Sequence, residues 1–542
     1  MHIKEFKFNK GAFDSTKDSS EQSFSKGDNW PVVYLLENGK ELYVGETNNF
    51  RRRMKQHLDN PTRSHLNRSH CIVNDTFNKS AVLDIEAKLI NYFAADNKFK
   101  ILNANGGIGN QEYYDRSQYL SLVEPIWDKL RAKHLADKTV FEIENSDLFK
   151  FSPYKSLSIE QFAISKMVMS DIKEEGRSIS FIEGNPGTGK TVLAMYFLKQ
   201  LAKQYGRHNV ALVVSMDSLY KTLRNVAKSI DGLYAKNIIK PSQVVKHDYT
   251  VLIVDEAHRL KRRQNLSAGG EYHTFDKVND YLSLSKDKGD QLDWILQQSK
   301  HQILFYDANQ SIKPTDIPKN KFEELKVDEL DDRPITTYSL EQQHRVKGGN
   351  EFIRYARDLM HNRIRGPYDI ESYDVQLFYS FKTFNNMLYQ KEKEYGLTRM
   401  VSGYSFDWIS KKDTSLFDIQ IEGIQKQWNV EQVDWPNSEN AIHEVGCIHT
   451  IQGYDLNYVF LIFGEEIDYD HINKTIVIDK DKYYDRNGKA SIKNLEYLKQ
   501  YIQNIYVTMM TRGIQGIYMY ACNKNFRTYL ENSLKEVQDE RN

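Results

Sequence analysis

Continuous apolar runs alternate with amphipathic segments from about residue 151 onwards. The runs SISFIEG, NVALVVS, TVLIVDE and QILFYD each precede a turn and a helical segment. Strands of a parallel sheet that is covered on both faces have such continuous apolar sequences. A second set of strand and helix signals extends from about 336 to 530. We therefore predict two tandem α/β domains with parallel sheets, over residues 151–335 and 336–542.

The first 150 residues follow a different pattern. Residues 31–103 predict two short strands around a turn, then a basic helix, and then an amphipathic helix near 80–95. Residues 113–136 predict helix with an interruption at Pro125. We therefore expect a small α/β domain over 1–108, followed by a helical linker over 109–150.

Charge and cysteine content narrow the class of protein. The chain is 40% hydrophobic and 27% charged, which indicates a globular protein and excludes a disordered one. Lys and Arg together number 74, as do Asp and Glu, so any nucleic-acid site must be a local basic surface. The three cysteines are too widely spaced for a disulfide framework or a zinc site. No apolar run approaches the roughly 20 residues that span a bilayer, and we expect a soluble, cytoplasmic protein without a membrane partner.

A complete phosphate-binding loop lies between the run SISFIE and a helical segment. The sequence GNPGTGKT over 184–191 matches the P-loop pattern. Backbone N–H groups of such a loop surround phosphate oxygens, the lysine reaches the β- and γ-phosphates, and the hydroxyl after it binds Mg²⁺. The residues expected to contact ATP or its Mg²⁺ ion here are Gly184, Gly187, Thr188, Gly189, Lys190 and Thr191.

An Asp-Glu pair follows the apolar run VLIV downstream of this loop. The strand brings Asp255 to its carboxyl end, where the carboxylate can bind Mg²⁺ beside Thr191. Glu256 is then placed to orient and deprotonate the attacking water. The pair therefore predicts ATP hydrolysis as well as nucleotide binding.

Six segments occur in order over some 360 residues, and one of them includes the Asp-Glu pair: SLSIEQ, DEAHR, DANQ, LEQQHR, HTIQGYDLNYVFLIFG and YVTMMTRG. They resemble the motifs of superfamily 1 helicases, and more narrowly those of the Schlafen-type group in bacteria. The resemblance implies two RecA-like domains. It also implies that Gln161 reads adenine, that Gln310 senses the γ-phosphate, and that Arg345 and Arg512 reach the γ-phosphate from the second domain.

The N-terminal region carries another ordered set of residues. The sequence PVVYLLENGKELYVGETNNFRRRMKQH over 31–57 places two tyrosines on the predicted strands, and an arginine and a histidine one helical turn apart. A glutamate follows at the edge of an apolar helical stripe. The set is Tyr34, Tyr43, Arg53, His57 and Glu86, with Asn103 further along the chain.

This set resembles the GIY-YIG nuclease family, with VVY and YVG in place of the two name motifs. The resemblance implies that Glu86 binds one divalent metal, Mg²⁺ or Mn²⁺, on the scissile phosphate. Tyr34, together with His57, would help to activate water, and Arg53 would stabilise the charge on the phosphate. Tyr43 and Asn103 would position other groups. A small α/β module with core tyrosines explains each tyrosine separately, but not the ordered set.

Three functions are compatible with these patterns. The first is an ATP-driven translocase or helicase on nucleic acid, with DNA favoured over RNA, that also cuts it, in a setting such as defence against phage. The second is a nucleotide-gated sensor whose N-terminal domain binds nucleic acid without cutting. The third is an RNA-directed nuclease-ATPase.

Overall fold

The structure, a computed structural model, forms two compact units. The first comprises Met1–Met167, Met195–Lys199 and Lys228–Leu233, and the second comprises the rest of the chain. The described residues are 1–13, 29–103, 106, 113–155, 157–172, 176–264, 266, 269–307, 315–327, 333–343, 345–364, 368–370, 372–431, 434–451, 453–485, 489 and 494–539.

A five-stranded sheet forms the first unit's N-terminal part, with the strand order β1-β4-β2-β3-β5. The predicted strand-turn-strand is the antiparallel pair β2–β3, and its turn contains Gly39 at a φ of +84°. The Asn38 side chain closes this turn by accepting hydrogen bonds from the backbone N–H groups of Lys40 and Glu41. The strands are β1 (His2–Lys7), β2 (Val32–Glu37), β3 (Glu41–Thr47), β4 (Arg68–Val73) and β5 (Lys100–Ile101).

Short helices cover the long helix of this unit. Trp127 packs edge-on against Tyr92 and Phe93 of that helix. The helical segment is interrupted as expected, but the break lies at Ser121 and Leu122. Pro125 lies in the first turn of the next helix, where its missing N–H leaves no hydrogen bond unmade. The helices are α1 (Phe50–Leu58), α2 (Lys79–Asp96), α3 (Arg116–Leu120), α4 (Val123–Ala132), α5 (Val140–Glu144), α6 (Asp147–Lys150) and α7 (Ile159–Asp171), whose last residues belong to the second unit.

Two parallel sheets form the second unit, as the apolar runs predict. The first has the order β11-β6-β10-β9-β7-β8, and each of its neighbouring strands pairs in parallel. Its last strand runs past residue 335, so this sheet continues into the region expected to start the second domain. Its strands are β6 (Ser178–Gly184), β7 (Val210–Val214), β8 (Ile238–Ile239), β9 (Tyr249–Asp255), β10 (Ser299–Tyr306) and β11 (Ile335–Leu340).

The second parallel sheet has the order β12-β19-β16-β13. Its central strand pair, β16 and β19, is buried along most of its length. Two short antiparallel hairpins, β14–β15 and β17–β18, lie outside it. The strands are β12 (Asp374–Phe378), β13 (Thr398–Ser402), β14 (Ile419–Ile421), β15 (Ile424–Lys426), β16 (Leu456–Phe463), β17 (Ile467–Asp470), β18 (Thr475–Ile478) and β19 (Gly513–Ala521).

Helices cover both parallel sheets, and none in the described parts of the chain is long and apolar enough to cross a membrane. Because the carboxyl ends of parallel strands share one edge, the segments after β6, β9 and β10 lie together there. The remaining helices are α8 (Lys190–Tyr205), α9 (Asp217–Lys228), α10 (Gly269–Tyr281), α11 (Gln291–Gln297), α12 (Lys319–Val327), α13 (Gly349–Met360), α14 (Phe381–Tyr395), α15 (Ile448–Ile451), α16 (Leu495–Met510) and α17 (Lys524–Asp539).

Candidate functional site

The phosphate-binding loop connects β6 to α8, as its sequence predicts. The Lys190 ammonium donates hydrogen bonds to the backbone carbonyls of Gly184, at 2.7 Å, and Asn185, at 3.1 Å. Gly187 and Gly189 have φ angles of +86° and +78°, which residues with a Cβ rarely adopt. The loop therefore curls around the Lys190 ammonium, which is in position to meet a phosphate.

Thr191 and Asp255 form the predicted pair at the sheet edge. The Thr191 hydroxyl donates a hydrogen bond to Asp255 Oδ2 at 2.8 Å. The other carboxylate oxygen, Oδ1, is buried and has no hydrogen-bond partner among the described residues. Burial and the adjacent Glu256 raise the pKa of the Asp255 carboxyl. A hydroxyl beside a buried carboxylate oxygen that lacks a donor is an oxygen set that suits Mg²⁺.

Glu256 is positioned by a histidine that the sequence did not single out. The backbone N–H of Asp307 donates to His258 Nδ1 at 3.2 Å, and Nε2 lies 2.9 Å from Glu256 Oε2. Glu256 itself has a φ of +53°. Burial favours its neutral form, but His258 and then Lys190 outweigh this effect and lower the pKa of Glu256. The carboxylate is therefore ionised and oriented, as a base for water requires.

Arg345 and Arg512 lie together, although they are far apart in sequence. Arg345 forms an ion pair with Asp455, and its Nη1 is buried without a hydrogen-bond partner in the described part of the chain. Arg512 is buried, and its Nε likewise has no partner among the described residues. Burial and then the charge of Arg345 lower the pKa of Arg512 to about 9, whereas Glu256 and Asp455 raise it. Both guanidinium groups thus carry an N–H without an acceptor among the described residues, and the charge of Glu256 acts on Arg512.

The P-loop packs against the segment that follows β11 of the same sheet, and the two parallel-sheet regions also meet directly in this unit. A Cβ at Gly187 would lie 2.9 Å from the Cβ of Arg345, so only glycine permits this approach. Elsewhere the Thr222 and Tyr454 hydroxyls are 2.9 Å apart, and Tyr454 donates a hydrogen bond to Asp434 at 3.1 Å. The P-loop and the Arg345 segment are therefore close enough to act on one nucleotide.

The structure describes two of the three other residues predicted at the nucleotide site. Thr188 is buried, and its hydroxyl donates a hydrogen bond to the Asn185 carbonyl at 3.0 Å. Gln161 is buried in the first unit, where its side chain accepts a hydrogen bond from the Ser158 backbone N–H at the start of α7. Gln310 lies outside the described residues. The roles of Gln161 and Gln310 remain predictions.

The predicted nuclease residues converge on the Tyr34 hydroxyl. The Tyr34 oxygen lies 2.7 Å from His57 Nε2 and accepts a hydrogen bond from Arg53 Nε at 3.3 Å. A Cβ at Gly45, which pairs with Tyr34 across the hairpin, would lie 2.3 Å from this oxygen. The glycine of YVG therefore makes room for the Tyr34 hydroxyl. Tyr43 completes the cluster, with its ring 5.2 Å from that of His57.

Arg63 belongs to this cluster but was missed by the sequence analysis. Its guanidinium donates a hydrogen bond to His57 Nδ1 at 3.0 Å and lies 3.9 Å from the centre of the Tyr43 ring. Burial, followed by the charges of Arg63 and Arg53, lowers the pKa of His57 to about 3. The imidazole is therefore neutral near pH 7. Arg63 lies in a turn beyond α1, where no helical spacing could connect it to His57.

Glu86 lies on α2 beside a second carboxylate. Burial and the charge of Glu46 raise the pKa of Glu86 to about 7, and Lys79 and Arg53 act in the opposite direction. Lys79 forms an ion pair with Glu46. A half-buried carboxylate whose charge is only partly compensated fits a divalent cation. Within the described residues, no group of three or more His, Cys, Asp or Glu side chains is arranged to hold a metal ion.

Asn103 forms hydrogen bonds to the backbone of β3, the strand that carries Tyr43. Its side chain accepts a hydrogen bond from the Val44 N–H at 3.0 Å and donates one to the Val44 carbonyl at 2.8 Å. This pairing extends the sheet beyond the short strand β5 and fixes the backbone next to Tyr43. The structure thus places Asn103 close to the site through the backbone of β3.

Relatives among curated proteins and solved structures are distant. A Saccharomyces cerevisiae protein described as uncharacterized is 26% identical over 429 residues, which cover 69% of this chain and 90% of that protein. An ORC1-type DNA replication protein of Pyrococcus abyssi is 23% identical over 186 residues, which cover 29% of this chain and 42% of that protein.

Two solved structures to which the chain is similar are helicases. The DUF1998 helicase MrfA bound to DNA is 12% identical at a TM-score of 0.31, over 70% of this chain and 51% of that one. The Pif1 helicase from Bacteroides in complex with ADP-AlF3 and ssDNA is 11% identical at a TM-score of 0.28, and the match covers 71% of this chain and 98% of that one.

Two family models match the chain itself. Residues 31–100 match the GIY-YIG catalytic domain, the region that holds Tyr34, Arg53, His57 and Glu86. Residues 177–523 match the Schlafen group 3 DNA/RNA helicase domain, which extends over most of the chain and both parallel sheets. Both resemblances inferred from the motifs are confirmed. The chain belongs to the Schlafen group 3 helicase family and is an ATPase and endonuclease, with its GIY-YIG catalytic domain preceding the helicase domain.

Proposed function

We propose that the protein uses ATP to move along DNA and cuts DNA at the GIY-YIG centre with Mg²⁺ or Mn²⁺. The observation that supports this most directly is the convergence of Arg345 and Arg512 on the P-loop side of the unit. Arg345 follows β11 of the first sheet, and Arg512 lies between α16 and β19 of the second sheet, so nucleotide chemistry depends on both sheets. Such dependence allows hydrolysis to be converted into stepping along a strand.

In the nucleotide cleft, each charged group has one task. Lys190 binds the β- and γ-phosphates, and Thr191 with Asp255 would hold Mg²⁺, which supplies charge neutralisation at the phosphates. Glu256, oriented by His258, accepts the proton of the attacking water. Arg345 and Arg512 donate hydrogen bonds to the oxygens on which charge develops.

In the nuclease centre, Arg63 determines what His57 can do. Arginine is always a donor, so Nδ1 of the neutral His57 ring must be the acceptor and Nε2 must carry the proton. His57 therefore donates to the Tyr34 oxygen, as Arg53 does. With Arg63 in place, His57 is a hydrogen-bond donor and not the base. Tyr34, its oxygen held by two donors, is left to orient the attacking water.

The substrate and the setting are part of the proposal. Glu86 would hold one divalent cation, which supplies Lewis acidity at the scissile phosphate. Arg53 stabilises the charge that develops on that phosphate. We favour DNA, and a motor that feeds a nuclease would suit destruction of foreign DNA such as that of phage.

A cleavage assay with matched substrates tests this proposal. Purified protein is incubated with plasmid DNA or a long RNA and with Mg²⁺ or Mn²⁺, with and without ATP. We expect DNA cleavage that requires the metal and that ATP stimulates. Cleavage of RNA alone would replace DNA as the substrate, and no cleavage under any condition would favour the sensor function.

A further inference from the structure

A basic cavity of about 420 Å³ lies on the edge of the first parallel sheet opposite the P-loop. It is built around the starts of β7 at Val210 and β9 at Tyr249, whereas the P-loop follows the carboxyl end of β6. All parallel strands point the same way, so the cavity and the ATP cleft are at opposite edges. Its basic side chains are Arg207, Arg224, Lys236 and Lys246, joined by His208 and His247.

The charge in this cavity is of one sign. None of its described lining residues is acidic, and none of the four Lys and Arg side chains forms an ion pair within the described parts of the chain. The neighbouring Lys240, by contrast, is paired with Asp217. In a chain with a formal net charge of zero, this is a local excess of positive charge. Like charges gathered without counter-ions repel, and a polyanion would relieve that repulsion.

Three of the cations are held in place before any ligand binds. The Arg207 guanidinium lies 4.2 Å from the centre of the Tyr234 ring, and the Lys236 ammonium lies 5.3 Å from the same centre. Arg224 donates hydrogen bonds to the Tyr220 hydroxyl at 3.2 Å and to the Ile238 carbonyl at 3.4 Å. Ordering these side chains therefore costs less on binding than ordering free surface lysines.

We propose that this cavity is a second phosphate-binding site, separate from the ATP cleft, which takes adjacent phosphate groups. Its ligand is the sugar-phosphate backbone of the nucleic acid on which the protein acts, and in that respect the proposal rests on the proposed function. A free polyphosphate shares this chemistry. Both contain closely spaced anionic oxygens that can be bound by four cations at once.

The salt dependence of binding tests the site. The double variant Lys236→Gln/Lys246→Gln removes two exposed cations, and Lys393→Gln/Lys524→Gln removes two exposed lysines elsewhere. The dissociation constant is measured for single- and double-stranded oligonucleotides over a range of salt. The logarithm of the association constant falls linearly with the logarithm of the salt concentration. Loss of two phosphate contacts should make this slope less steep by roughly 1.4 to 1.8. The control variant should keep the wild-type slope, and both should keep the basal ATPase rate and melting temperature.

A second arm identifies the source of the phosphates. Binding of inorganic tripolyphosphate is measured by calorimetry in a Lys190→Ala background, so that the P-loop contributes little. If the nucleic-acid slope is unchanged and tripolyphosphate binding is lost, the site takes free polyphosphate. If the double variant changes neither the nucleic-acid slope nor tripolyphosphate binding, and Arg207→Gln also changes neither, the proposal is wrong. If the wild-type protein binds no nucleic acid, the proposed function is contradicted. The tripolyphosphate measurement would still show whether the cavity is a phosphate-binding site.

Discussion

The ATP cleft and the nuclease centre solve the same problem, charge stabilisation at a phosphate, with different constructions. The cleft draws its groups from segments as distant in sequence as Lys190 and Arg512, on elements of two sheets. The nuclease cluster comes from residues 34–103 of one small sheet and its helices. The cleft also has buried donors and acceptors without partners among the described residues, on Asp255 and both arginines.

The nuclease cluster, by contrast, is already connected. Tyr34, His57, Arg53 and Arg63 form one continuous hydrogen-bonded chain. Unsatisfied buried groups are costly, and they recur where a ligand will supply the missing partner. We infer that the nucleotide completes the cleft, whereas the nuclease cluster is organised before its substrate arrives. Changes in the cleft should therefore act on a nucleotide-dependent state, and changes in the cluster on a pre-formed network.

The largest effect should come from Lys190→Ala. Loss of the ammonium removes both a counter-charge and a donor at the phosphates, and we expect the ATPase rate to fall by on the order of 10³-fold or more. Phosphate release measures it, with Lys203→Ala on the exposed side of the same helix as the control. ATP turnover near the wild-type rate would mean that this loop is not the site of hydrolysis.

A smaller effect, mainly on kcat, should follow Arg512→Ala or Arg345→Ala. An arginine that acts on transition-state charge should cost on the order of 10²- to 10³-fold in kcat and leave ATP affinity within a few-fold of wild type. Phosphate release and nucleotide titration separate the two quantities. Arg354→Ala, an exposed arginine paired with Glu351, is the control. Loss of ATP binding equal to the loss of kcat would assign both arginines to ground-state binding.

Arg63→Met should have the smallest effect, on the order of 10- to 100-fold in cleavage, because it acts through His57. The sharper readout is the His57 tautomer, measured by ¹⁵N NMR of the histidine-labelled full chain, with His57→Gln for assignment. Wild type should carry the proton on Nε2 only, and Arg63→Met should show a mixture of tautomers.

Arg63→Lys should restore part of the wild-type signature, and Arg52→Gln, an exposed arginine on α1, should change nothing. A wild-type His57 with its proton on Nδ1 would refute the role assigned to Arg63.

Features that adjacent residues determine could be predicted from the sequence, whereas features that depend on distant residues could not. The P-loop and the Asp255-Glu256 pair were predictable, because a strand, a turn and a few adjacent residues determine them locally. Tyr34 and His57 could be named only through a family pattern, since neither spacing nor burial identifies them alone. The break near Pro125 was predicted, but its exact place was not, because a proline in the first turn of a helix does not interrupt that helix.

Arg63 and His258 were missed for another reason. Each acts by contacting one side chain that folding brings near, and no periodicity in the sequence encodes that contact. The steric need for Gly45 is similar, because it depends on where the Tyr34 hydroxyl lies across the hairpin. Contacts of this kind require the register of strands and the path of turns, which composition and hydrophobic pattern do not determine.

The central claim is that two separate chemistries share this chain, and one paired assay tests it most directly. DNA cleavage and phosphate release are measured on the same preparations of wild type, Glu86→Gln and the control Glu5→Gln, with folding checked by melting. We predict that Glu86→Gln loses cleavage by on the order of 10²-fold or more while its DNA-stimulated ATPase stays near wild type. Cleavage at the wild-type rate by Glu86→Gln would contradict the account.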